Sequence, residues 1–382
     1  MGVSGEMSEK QRQPASGETL AFGLTREQLR PIVENVAGER VCSFNIAISR
    51  TLPAEQWGGA CEPVIVEFTF GSRGGSPGVT TVFAKRYHDP GPREALHYAW
   101  LSRVGAPVPR FYGSILGPED LEVIFLECID APNKDAQIYG DEKACLEFLK
   151  SLARFNATRV PEAALGILPR PDWALRLGSS GTWDDNRGYW PAGRVLEEIR
   201  EHEEAVQRDD RLGLFCRGAR SHLQEIAASA AKLAGPISRM TRGLVHDDFR
   251  PAQTGWRRSP REVVIYDLEF VGIGPRFHDA ATVLGEPEED QAFCLSRPEM
   301  ARVYLEEYAR AGGAAPKLDT FRHEIRILHL AHRLSVLGWW PGHVFDAPAD
   351  PDQSEQEREE DLRRRRDDLC DWLSFLLAGV RQ

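Results

Sequence analysis

Residues 244–268 read LVHDDFRPAQTGWRRSPREVVIYDL, and the fold follows from this stretch. His246 is followed after one residue by Asp248, and after four more by Gln253. Residues 263–268, VVIYDL, are an apolar strand that ends in Asp267, fourteen residues after Gln253. A tight loop with this spacing aims a carboxylate at a nucleophile and a neutral amide oxygen at a nearby metal. A strand-end aspartate then supplies a second, charged metal ligand. Glu269, two residues on, is placed to reach the metal directly or through water.

Moving upstream, the first part of the chain alternates with period two. Residues 40–49 (RVCSFNIAIS), 64–70 (VIVEFTF) and 80–87 (TTVFAKRY) read as strands of an antiparallel meander. A helix over 93–104 follows the break at 89–92, and two short strands are expected at 110–115 and 121–126. Thr25 and Gln28 form a capping-box pattern before a helix that Pro31 should shorten or kink. Residues 1–22 are small, polar and aperiodic and read as a disordered tail. From about residue 139 the period changes to near 3.6. Helices are expected over 141–157, 192–207, 218–233, 297–311, 318–337 and 357–377, with an exposed acidic loop over 346–361. Strands first and helices afterwards indicate an α+β chain. The expected domains are 23–130, nucleotide-binding, and 131–382, helical and carrying the loop and an acceptor pocket.

The HxDxxxxN loop of kinases uses its Asp to accept a hydroxyl proton and its Asn to bind magnesium. LVHDDFRPAQ with VIYDLEFVGIGPRFHDAA resembles the signature of the aminoglycoside phosphotransferase and choline kinase-like families. The likeness extends over roughly residues 40–285. Lys85, at the end of an apolar strand, is placed like the lysine that pairs the α- and β-phosphates. Glu94 is placed like its ion-pair partner. The chain has seven lysines against forty arginines, so a lysine here is a specific choice of a compact charge. VGAPVPRFYG (104–113) resembles a family segment, and EVIFLECID (122–130) resembles the strand leading to the adenine hinge, which places adenine near Glu127 to Ile129.

The resemblance implies a bilobal protein-kinase-like fold with a small antiparallel β N-lobe, one helix and a larger α-helical C-lobe. It implies ATP or GTP with Mg²⁺, Asp248 as catalytic base, Gln253 and Asp267 as metal ligands, and His246 as an architectural residue. The acceptor is a hydroxyl of a small molecule, aminoglycoside-like or another antibiotic. Asp184, Asp185, Asp247 and Glu269 would favour an amine-bearing one. Alternatives are a metabolite kinase for choline, a sugar or a nucleoside, and a catalytically weak kinase-like binding protein. The chain departs from the pattern at Asp247, where Gly is usual, at Gln253, where Asn is usual, and at Arg154-Phe155-Asn156, where the family often has Leu-His. The nucleotide loop is also unusual, with Gly58-Gly59 its best candidate. Residues 173–190 and Trp339-Trp340 are candidate acceptor surfaces.

Composition excludes several classes. The net charge of −11 disfavours nucleic acid. Seven scattered cysteines without a CxxC fit a reducing cytoplasm rather than a disulfide framework or zinc ribbon. No Gly-Lys pair exists, so there is no Walker A loop, and His323-Glu324 lacks the second histidine of a zinc-protease motif. No apolar run reaches the length of a membrane span, and the first residues lack the apolar core of a signal peptide. The sequence does not set the oligomeric state.

Overall fold

The computed structural model describes residues 21–52, 61–72, 77–88, 94–130, 140–166, 168, 233, 235–285, 293–335, 354–361 and 363–365. The expected helices over 192–207 and 218–233, Gly58-Gly59, the segment 173–190 with Asp184 and Asp185, and Trp339-Trp340 lie outside these residues, apart from Leu233 alone. Among the described residues, no helix is long and apolar enough to cross a membrane.

The chain divides into two compact units. The first is Met1–Asp130 with Gly255–Glu269, and the second is Ala131–Thr254 with Phe270–Gln382. The expected boundary near residue 130 therefore needs an addition, because Gly255–Glu269 groups with the β-rich part. The reason is local pairing. Asp130 and Trp256 exchange backbone hydrogen bonds of 2.9 and 2.7 Å, and Ile265 N donates to Pro107 O at 2.8 Å.

The first unit is a five-stranded antiparallel sheet. Its strands are β1 (Val41–Thr51), β2 (Cys61–Ser72), β3 (Gly78–Tyr87), β4 (Phe111–Leu116) and β5 (Glu122–Glu127), in the order β1-β2-β3-β5-β4. Helix α1 (Arg26–Ala37) is capped by Thr25 and Gln28 as the sequence predicts, and it runs twelve residues through Pro31 rather than stopping there. It buries Leu29, Ile32 and Val33 against Val64, Phe68 and Phe125 of the sheet. That apolar packing fixes the helix face. Ala21 and Phe22, expected in the disordered tail, instead fold into a single 3₁₀ turn because Phe22 finds a place in this core. Helix α2 (Glu94–Arg103) follows β3, and β7 (Thr254–Arg258) and β8 (Arg261–Ile265) form a two-stranded ribbon. Arg257 fastens that ribbon, donating to Val108 O at 2.7 Å and to Glu127 at 2.8 Å, and pairing with Glu262.

Among its described residues, the second unit is helical around one small ribbon. Strands β6 (Arg242–Val245) and β9 (Gly272–Pro275) pair antiparallel. The helices are α3 (Glu142–Ala157), the short α4 (Glu162–Leu165), α5 (His278–Leu284), α6 (Arg297–Arg310) and α7 (Leu318–Ser335). Helix α3 packs on α6, and α5 packs on α7. Phe277, Tyr304 and Phe321 form a buried aromatic stack between them, with ring centroids 4.8 to 6.1 Å apart. Residues 355–361 are helical, so the acidic loop expected over 346–361 ends earlier than its composition suggests.

Candidate active site

In the first unit, Lys85 is buried near the end of β3, opposite Pro63 of β2 and Ile124 of β5. An ammonium in such a place needs compensating charge. Its Nζ lies 3.0 Å from Glu94 Oε2 and 3.1 Å from Asp267 Oδ1. Burial works to lower the Lys85 pKa, but these two carboxylates outweigh it and lift it above the usual lysine value. Glu94 is itself fully buried, and burial pushes its carboxyl up against the pull of Lys85. The Lys85 Nζ also lies 4.9 Å from the centre of the Tyr87 ring.

One face of α2 organises the segment after β8. Glu94, His97 and Tyr98 stand at helical spacing i, i+3 and i+4. Glu94 Oε1 accepts from Leu268 N at 3.0 Å, His97 Nδ1 meets Leu268 O at 2.7 Å, and Asp267 N donates to the Tyr98 hydroxyl at 3.1 Å. Asp267 takes a left-handed backbone, φ 66°. That conformation is costly for most residues but tolerated by Asp. The three α2 side chains thus hold the backbone at Asp267 and Leu268. Burial raises the Tyr98 pKa well above its usual value, so its hydroxyl is neutral.

The residues expected near adenine are also in this unit. The Glu127 carboxylate accepts from Arg257 Nε at 2.8 Å and from Arg110 N at 3.1 Å, so its side chain serves the fold. The Ile129 side chain packs on Gly255, where an added Cβ would lie 2.5 Å from Ile129 Cδ1. Glu269 is exposed, two residues beyond Asp267.

In the second unit, the loop after β6 is held by a residue the sequence reading did not name as a site. Asp279, fully buried at the start of α5, accepts from His246 N at 2.8 Å, Asp247 N at 3.0 Å and Asn156 Nδ2 at 2.7 Å. Burial pushes its carboxyl up, opposed by His246 and by these three donors. Asn156, from the end of α3, also donates to Leu244 O at 3.2 Å and accepts from the Tyr304 hydroxyl at 2.9 Å. The signal available for Asp279 was an aspartate opening an apolar helix (HDAATVL), a pattern that cannot be a solvated face. His246 is fully buried, with its ring 6.1 Å from Phe155 and 5.8 Å from Phe249.

Asp247, at the position where glycine is usual, has φ 71°. Its Oδ1 lies 3.4 Å from His278 Nε2, with both side chains 1% exposed. Asp248 is half-exposed, and its Oδ2 accepts from Gln253 Nε2 at 2.9 Å. Gln253 Oε1 in turn accepts from Arg250 N at 2.6 Å. The oxygen faces a donor and the nitrogen faces a carboxylate, so the amide orientation is fixed from both ends. Gln253 therefore grips Asp248. The structure thus brings together His246, Asp248 and Gln253 in one unit, and Lys85, Glu94 and Asp267 in the other.

The profile of APH, a phosphotransferase enzyme family, matches residues 72–319 of this chain. Among curated proteins, none matches it. Solved structures resemble it at low identity. One is an ethanolamine kinase from Plasmodium vivax, 12% identical over 86% of this chain and 82% of the other, with a TM-score of 0.46. Another is APH(2″)-IIIa in complex with GDP and kanamycin, 12% identical over 90% and 96%, with a TM-score of 0.49. A third is the amicoumacin kinase hAmiN with AMP-PNP and Ca²⁺, 13% identical over 81% and 85%, with a TM-score of 0.40.

Proposed function

The chain belongs to the phosphotransferase enzyme family, with the kinase-like α+β fold, and from that premise we propose that it moves the γ-phosphoryl of ATP or GTP to a hydroxyl of a small molecule. The observation that carries this reading is Lys85, buried and held between Glu94 and Asp267. A structural role alone would not require a lysine to be enclosed with two carboxylates at the end of a strand. Lys85 is the phosphate ligand, Glu94 holds it in place, and Asp267 offers carboxylate oxygens of the kind magnesium takes. Bound magnesium supplies charge neutralisation at the β- and γ-phosphates.

Asp248 is the proposed base. It is the accessible carboxylate of the loop, and Gln253 orients it. Asp279, through the backbone amides of His246 and Asp247, fixes the loop that carries it. The work of these residues is positioning, which is the larger part of phosphoryl-transfer catalysis. The Gln253 oxygen has a second lone pair beyond the one given to Arg250 N, and we assign its secondary role as a cation ligand there. Adenine is assigned to the backbone around Glu127 and Ile129, since the Glu127 carboxylate is taken by Arg257. Asp247 is buried on His278, so of the acids expected to favour an amine-bearing acceptor of the aminoglycoside kind, Glu269 is the exposed one among the described residues.

A second reading, a catalytically weak nucleotide-binding protein, is favoured by Gln253, whose amide is turned to Asp248 and Arg250. A thermal-shift titration with ATP and GTP, with and without Mg²⁺, tests both. Nucleotide at a hundredfold over Kd should stabilise the wild type by about 2.7 kcal/mol. The shift should need magnesium and vanish in Asp267→Ala. The absence of any shift with either nucleotide would refute the kinase reading. A shift without turnover on any hydroxyl acceptor would select the second reading.

A further inference from the structure

Three side chains of α5 reach the loop on either side of Asp248. Asp279 takes the amides of His246 and Asp247. Thr282, one turn further on, donates from its hydroxyl to Phe249 O at 3.1 Å. His278 faces the Asp247 side chain, its Nε2 lying 3.4 Å from Oδ1. The residue before Asp248 and the residue after it are thus both tied to one seven-residue helix.

These ties differ in kind. Asp279 and Thr282 hold backbone groups, which any sequence at 246–249 would offer. The His278 contact exists only because residue 247 is an aspartate. Both of its side chains are almost fully enclosed. A carboxylate buried so deeply is costly unless a facing charge or donor compensates it, and the His278 imidazole is the group that faces it. On its other side the His278 ring meets that of His332 edge-on, with centroids 5.5 Å apart. His332 is held neutral down to about pH 4, so it sets no second charge beside His278. Asp247 also keeps a φ of 71°, a conformation that glycine takes freely and most residues avoid. A backbone outlier of this kind points to a task for the residue that carries it.

We propose that His278 is a positioning residue for Asp248. Acting through Asp247, it forms a second latch on the loop beside the one Asp279 supplies. Residue 247 directly precedes Asp248, so a rotation of its backbone swings the Asp248 carboxylate as a lever. The task given to Asp248 rests on the proposed phosphotransferase reading; the latch itself does not.

Amide hydrogen exchange of the full-length protein, read by mass spectrometry on the peptide carrying residues 244–250, reports the latch without nucleotide or acceptor. His278→Phe leaves Asp247 sealed in without its partner, and the His246 and Asp247 amides should exchange at least about tenfold faster. In an Asp247→Gly background no carboxylate is left to strand, and the same change should alter exchange by less than about threefold. His278→Gln keeps a donor toward Asp247 and should fall between wild type and His278→Phe; it carries the comparison between the two backgrounds if the Phe variant does not fold. Equal acceleration in both backgrounds would make His278 a packing residue and overturn the proposal, as would no acceleration with Asp247 intact. Turnover of Mg-ATP reads the positioning. In His278→Phe, kcat should fall about 10- to 100-fold with KM for Mg-ATP within about twofold of wild type. Added to Asp247→Gly, the same change should leave kcat where Asp247→Gly alone puts it. A raised KM with unchanged kcat would overturn the positioning role. A wild type that turns over no Mg-ATP would refute the phosphotransferase reading, while the exchange factors would still decide the latch.

Discussion

Replacing Glu94 tests the buried charge arrangement most directly. Its Oε2 faces Lys85 Nζ and its Oε1 accepts from Leu268 N, with the side chain 1% exposed. Removing one partner of a buried pair costs about 3–5 kcal/mol, because the other charge is left without compensation. Lys85 keeps Asp267 at 3.1 Å, but that carboxylate is 34% exposed and partly screened by water. The loss should therefore fall toward the lower end. Glu94→Gln preserves the shape and the acceptor for Leu268 N, and loses only the charge. It should cost about 2–3 kcal/mol. Glu94→Ala also strands the Leu268 amide, adding about 1–3 kcal/mol for an unmet buried donor, for a total of about 3–6 kcal/mol. Urea unfolding followed by tryptophan fluorescence measures both, with midpoints shifting at constant slope. Trp100, buried on α2, makes the signal sensitive to this helix. A double mutant with Lys85→Met should recover part of the loss, since the uncompensated ammonium is then gone. If both single variants lie within about 0.5 kcal/mol of wild type, the ion pair is not holding α2 to the segment at Asp267, and the reasoning fails.

Two further outcomes follow from the second unit. Asp279→Ala should remove the common acceptor of three buried donors and cost about 3–5 kcal/mol, and it should abolish turnover even where the protein remains folded; chemical denaturation with an activity assay checks both. His332 is held neutral, its pKa lowered to about 4 by burial and by the charges of Arg333 and Arg250. As pH falls from about 6.5 toward 4, the unfolded chain takes up a proton that the folded one refuses, so stability must drop in that window, by an upper figure of about 3 kcal/mol. His332→Gln should flatten the pH dependence of denaturation between those values, and an unchanged slope would remove His332 as its source.

The parts of this fold legible in sequence are those where local pattern and final structure agree. Alternation in 40–49 and 64–70 reports a sheet with one buried face, and the Thr25/Gln28 box reports a helix start; both are local. The strand that ends at Asp267 was legible because its apolar run, 263–265, is local. Long-range dependence hid the rest. The grouping of Gly255–Glu269 with the sheet depends on Arg257 and Trp256 finding partners more than a hundred residues away. Asp279 was seen as a helix start but not as the support of the loop, since its three donors come from two other segments. The bonds that Gln253 makes to Asp248 and Arg250 come from side-chain rotamers, which a sequence pattern does not carry.

The enclosure around Lys85 also sets a condition on what can dock there. One ammonium faces two carboxylates, so the trio carries a formal surplus of one negative charge before anything binds. Asp267 is the partially exposed member and the more easily displaced, while Glu94 is sealed in. Asp267 thus acts as an internal counter-ion, occupying the lysine until a guest arrives. Were a phosphate to dock there as proposed, a polyanion arriving alone would meet that surplus, whereas one arriving with its own cations would offset it. On the proposed reading, the resting trio would thus favour cation-paired over naked phosphates.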